Sequence, residues 1–93
     1  MVIDNFSNVG IGTSPSAWDP GIFKVIDVGV GGMSLAGSAG GASFASNLYL
    51  DTVGWKYKAS YAGALYTLNS LGENAWWTTP TGTAGTTATL TRR

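Results

Sequence analysis

The chain reads as an all-β fold of short antiparallel hairpins in an elongated module, with little or no helix. Three observations predict it. Short runs of β-branched and aromatic residues recur between turn signals. No window sustains the three- and four-residue apolar spacing of an amphipathic helix, and Gly or Pro interrupts most candidates. Trp55-Lys56-Tyr57-Lys58 alternates apolar and charged residues, as a strand with one wetted side does.

In chain order, Met1-Val2-Ile3-Asp4 is a short apolar strand. Asn8-Val9-Gly10-Ile11-Gly12-Thr13 alternates β-branched residues with glycine. Ser14-Pro15-Ser16 and Asp19-Pro20-Gly21 are turn signals, and Ser16 to Ile22 has room for about one helical turn. Phe23 to Val28 is a strand with Phe23 and Val25 on one face and Lys24 on the other. Gly29 to Ser46 is rich in Gly, Ala and Ser, a poor helix. It suits either a flexible linker or closely packed extended chain, and Met33, Leu35 and Phe44 favour partial ordering.

The second half reads as two hairpins. Asn47 to Leu50 and Trp55 to Lys58 flank a turn at Asp51–Gly54, with Asp first and Gly fourth as a type I turn prefers. Ala64 to Leu68 and Ala75 to Thr79 flank a longer loop at Asn69–Asn74. Thr86 to Thr91 reads as a threonine-rich last strand. Residues 1–93 thus form one module, with segments 1–28, 29–46 and 47–93.

A chain of 93 residues buries a small core. Charged residues make up 11% and apolar ones 44%, against about 25% charged in ordinary soluble domains. The deficit points to a subunit that completes its core against copies of itself. The alternative is a neutral monomer whose surface is rich in hydroxyl side chains. The candidate subunit contacts are Val9, Ile11, Leu65 and one of Trp76 and Trp77. Those two tryptophans are adjacent, so a strand points them to opposite faces.

The net charge is zero, so nucleic acid has no basic footprint to meet. No apolar run is long enough for a membrane helix, and no signal-peptide pattern opens the chain. Cysteine is absent, which fits assembly in a reducing cytosol.

The chain has neither His nor Cys, which removes Ser–His and Cys–His nucleophile pairs. Asp4, Asp19, Asp27, Asp51 and Glu73 are the acids, and the turn positions of several give them capping roles. The expectation is no enzyme, no metal and no cofactor. Lys24 to Ser34 imitates the start of a dinucleotide site, yet Ser34 stands where its third glycine is needed. Asn5-Phe6-Ser7 matches a glycosylation triplet, a three-residue pattern with a high chance rate. Exposed aromatics could stack on sugar, and Trp55, Tyr57, Tyr61 and Tyr66 are the candidates; their alternative place is the core.

Three segments carry a resemblance. Asn8-Val9-Gly10-Ile11-Gly12-Thr13-Ser14-Pro15-Ser16 resembles an element of bacteriophage tail-fibre and related appendage proteins. Asn47 to Asp51 with Gly54-Trp55-Lys56-Tyr57 is similar to a hairpin of the same proteins. Trp77 to Gly85, with its Pro80-Thr81-Gly82-Thr83-Ala84-Gly85 run, is similar to a third. The family element often stands before a self-cleaving chaperone domain. The resemblance implies a parallel, intertwined homotrimer in a virion appendage involved in host attachment, with neighbouring fibre or virion proteins as further partners. Its alternatives are a module that binds host surface glycan and a capsid decoration or head-fibre protein. Arg93 followed by Met1 would recreate a phrase of such fibres, so the chain is expected to be a fragment or repeat unit, its two ends lying at opposite ends of the long axis.

Overall fold

The structure is a computed structural model and describes residues 1–93. It is all-β and contains no helix. Ten strands appear: β1 (Val2–Ile3), β2 (Val9–Ile11), β3 (Lys24–Val28), β4 (Met33–Ser38), β5 (Gly41–Ser46), β6 (Leu48–Leu50), β7 (Trp55–Tyr57), β8 (Ala64–Leu68), β9 (Asn74–Thr78) and β10 (Thr91–Arg92). Eight form one open sheet in the order β1-β2-β3-β4-β5-β8-β9-β10, while β6 and β7 form a separate hairpin. All pairings are antiparallel except β2 with β3.

The two predicted hairpins form where expected. At the first, Asp51 Oδ1 accepts the backbone N–H groups of Val53 and Gly54, which closes the turn. At the second, Asn69 Oδ1 accepts those of Leu71 and Glu73. Gly29 to Ser46 is not a linker. It supplies β4 and β5, the centre of the large sheet. Small side chains there let a second layer lie close: Ser34, Ala36, Ser43 and Ala45 all face inward and are buried.

Three expectations are corrected. Ser16 to Ile22 forms no helix; the Asp19 carbonyl accepts Ile22 and Phe23 N–H, a single turn that Pro20 and Gly21 do not propagate. The last strand shrinks to Thr91–Arg92, because the preceding threonines are spent on a loop held by one bridge from Thr87 to Lys56. Nor is the single chain elongated. Its extents are 33 × 30 × 21 Å, a slab whose width is set by eight strands side by side. The chain's terminal strands, β1 and β10, are the two opposite edges of that sheet, so its ends are separated across the strands.

The second layer covers one face only. At Asn47 the backbone turns to φ 61° and leaves the sheet, carrying β6–β7 across it. The Asn47 side chain fixes this exit: Nδ2 donates to the carbonyls of Ala59 and Tyr61, and Oδ1 accepts Ala59 N–H. Leu48, Tyr57, Leu65, Ala45 and Ala88 pack in one core cluster; Trp18, Phe23, Val25 and Ala36 pack in another. Trp55 contacts both and meets the Trp18 ring edge-on at 5.8 Å.

Two glycines of the family-like segments are explained by close approach. A side chain at Gly10 would run into the Thr13 carbonyl, and one at Gly82 would enter the Tyr57 ring. Tyr57 cannot retreat, since it is buried and its hydroxyl donates to the Pro80 carbonyl at 2.7 Å. Gly82→Ala is therefore expected to destabilise by about 1–3 kcal/mol, the usual cost of overpacking. Urea unfolding would check this; an unchanged midpoint would contradict it.

Candidate functional site

Strand alternation gives the large sheet an inner and an outer face. The inner face carries Val25, Asp27, Ser34, Ala36, Ala45, Leu65 and Trp77 under the second layer. The outer face has no layer over it. There, directly opposed residues form one continuous row across seven strands: Ile3, Val9, Ile26, Leu35, Phe44, Tyr66 and Trp76. A second row holds Ile11, Val28 and Met33. The rows exist because β-strands with two apolar faces were paired in a register that aligns the second face as well as the first.

Three rings in the long row stack as a ladder. Phe44 and Tyr66 have centroids 6.1 Å apart, and Tyr66 and Trp76 4.3 Å apart. The Tyr66 hydroxyl donates to Asn74 Oδ1 at 2.7 Å, which fixes the central ring. Phe44 stands between two shallow grooves, of about 480 and 250 Å³, the first floored by Val9, Ile26 and Leu35. Ile3, Ile11, Ile26, Met33, Phe44 and Trp76 are each 40 to 62% exposed. Taking about 200 Å² for a large side chain, they present on the order of 600 Å² of apolar surface. That is the upper end of what a monomer shows and near the roughly 800 Å² per partner of a specific interface.

The contact candidates divide accordingly. Val9, Ile11 and Trp76 lie on the open face. Leu65 does not: it is buried on the inner face, opposite Trp77. Trp77 packs against the inner core, and its Nε1 donates to Thr67 Oγ1. Of the sugar-stacking candidates, Tyr57 is buried and removed from that role, while Trp55 is partly buried and packs against both core clusters. Tyr61 is exposed apart from the ladder, and Tyr66 is part of it.

Sequence reasoning missed the chief polar feature. The alternation in Trp55-Lys56-Tyr57-Lys58 places Lys58 with Lys56 on a wetted side. Instead its ammonium is buried and pairs with Asp27 Oδ1 at 2.8 Å. Ser34 Oγ bonds both partners. Asp27 also accepts Ser16 N–H at 2.7 Å and Trp18 Nε1–H at 3.1 Å. Burial works to raise the Asp27 pKa, but the hydrogen bonds from Lys58, Ser34 and Ser16 and the Lys58 charge outweigh it, so the carboxyl titrates below its usual 3.8. A Ser–Lys–Asp cluster has the residue types of a nucleophile with its base. Here it is sealed and fully hydrogen-bonded, and it clamps the sheet to the second layer. An inward Asp in β3 facing an inward Ser in β4 was the one available signal.

This pairing makes stability depend on acid. The folded pKa lies below the unfolded one, so the contribution of Asp27 is complete above about pH 4 and is lost as pH falls through the folded value. Asp51 acts in the same window and with the same sign: a hydrogen bond from Lys56 and the N–H groups of Val53 and Gly54 hold it down to about 2. The urea midpoint is expected to be flat from about pH 7 to 5 and to fall below about pH 4. A midpoint unchanged to about pH 2 would contradict the coupling.

Comparisons of the chain with protein-family models, curated proteins and solved structures return no match.

Proposed function

We propose that the chain is a structural module of a bacteriophage tail fibre, displayed on the virion and used in host attachment, and that it works as a parallel homotrimer. The uncovered apolar face carries the assembly part of this reading. A row of seven apolar or aromatic side chains is costly to leave in water, at about 25 cal/mol per Å². Two cations share this face: Lys24 lines the first groove, its Nζ bonding the Phe6 carbonyl, and Arg93 follows the edge strand β10, its Nε bonding Thr78 Oγ1. Three copies can turn this face toward a common axis, each contributing the same row. The fibre assignment rests on the resemblance of the three segments quoted above, whose glycines and turn residues have defined places in the fold.

Sedimentation equilibrium tests the reading. The expected mass is three times the 9.6 kDa chain. The Phe44–Tyr66–Trp76 ladder favours one second reading, a platform on which sugar rings stack. A stable monomer that binds host surface glycan through the ladder would replace the first reading with the second.

A further inference from the structure

The sheet's two open edges match each other. Strand β1 at one edge and β10 at the other are joined through six antiparallel steps and one parallel step, so they run in the same direction. Rotation about an axis along the strands therefore brings β10 of one copy beside β1 of the next in parallel. Such a head-to-tail contact closes into a ring when the rotation is one third of a turn.

The free backbone groups have the parity that a parallel pair needs. Asp4 N–H donates to the Asn8 carbonyl and Arg93 N–H to the Trp76 carbonyl. Antiparallel ladders alternate, so the N–H and C=O of Ile3 and of Arg92 point away from the sheet. Ile3 is on the outer face, opposite Val9, whereas Arg92 is on the inner face, opposite Trp77. In a parallel ladder, groups that bond across belong to residues offset by one, hence on opposite faces. Antiparallel addition would need both on the same face and would turn one apolar face outward. Placing Ile3 opposite Thr91 keeps all outer faces on one side. The same register sets Val2 beside Leu90 and Asp4 beside Arg92, an apolar pair and an opposite-charge pair, all inward. Asp4 uses Oδ1 for the N–H groups of Phe6 and Asn8, which leaves Oδ2 for the arginine. Neither edge strand contains proline, one of the devices by which edges are blocked.

We infer that β10 of one copy adds in parallel to β1 of a second copy, Ile3 opposite Thr91 and Asp4 opposite Arg92, closing three sheets around their apolar faces. This rests on the trimer reading above and names the contact that joins its subunits.

The test is a disulfide. The chain has no cysteine, so Ile3→Cys with Thr91→Cys introduces the only thiols. Directly opposed residues on neighbouring strands lie about 4.8 Å apart, within disulfide reach. Oxidation is expected to give a covalent trimer on a non-reducing denaturing gel, with no larger species and none from either single variant beyond dimer. A trimer by sedimentation that the double variant fails to cross-link overturns the edge contact and leaves the trimer standing. A ladder of larger species overturns ring closure. A monomer by sedimentation overturns both. As a second measure, Arg92→Glu should weaken assembly about tenfold while Arg92→Lys leaves it near normal; equal behaviour of the two would overturn the Asp4–Arg92 register.

Discussion

Lys58→Met is expected to destabilise the chain by about 3–5 kcal/mol, a large fraction of the stability of a domain this size. The Lys58 and Asp27 side chains are 5% and 1% exposed. Removing the ammonium leaves a buried carboxylate with no charge partner, and desolvation, already the largest influence on Asp27, is no longer outweighed in full. The Ser16, Trp18 and Ser34 donors stay in place, so the loss is of charge compensation more than of hydrogen bonds. Urea unfolding at neutral pH measures it. Replacing both partners, Asp27→Leu with Lys58→Met, should recover much of the loss, since a buried pair is often no better than apolar residues of similar volume. A single variant with wild-type stability would show that the pair does not form.

Trp76→Ala and Trp77→Ala should separate assembly from folding, although the residues are neighbours. Trp76 is 62% exposed on the open face, and its truncation removes little from the isolated chain. In a trimer built on that face it is repeated three times. At about 1.5–3 kcal/mol per buried side chain, the loss per trimer is roughly 5–9 kcal/mol, or at least a thousandfold in the assembly constant. Trp77 packs against the inner core beneath the Arg92 guanidinium, 5.8 Å away. Its truncation should cost about 3–5 kcal/mol of folding stability. Sedimentation read beside urea unfolding distinguishes the two. A Trp76→Ala protein that stays trimeric with unchanged melting would sink the contact assignment.

Local chemistry made much of this fold legible. Asp51 with Gly54, and Asn69 with its loop, specify turns through their own backbone bonds, so both hairpins could be placed before any tertiary contact was known. Period-two alternation likewise told that Trp76 and Trp77 face opposite ways. Which of them faces the core was not local information. It depends on the side to which β6–β7 crosses, and that is fixed at Asn47 by bonds to residues twelve and more positions away. The glycine-rich stretch was ambiguous for the same reason. Its small residues permit a linker or a packed strand, and only neighbours on both sides, β3 and β8, decide for the strand.

The sequence by itself determined an all-β chain, the turn positions and an excess of apolar surface. Each follows from residue type and spacing within a few positions. The tertiary structure alone decided that Lys58 is buried, that Leu65 and Tyr57 are core, and that the spare apolar residues line up as one face. Those facts depend on strand register and on which layer lies over which side. A lysine next to a tyrosine in a strand looks the same whether its far side meets water or, as here, a carboxylate 31 residues earlier in the chain.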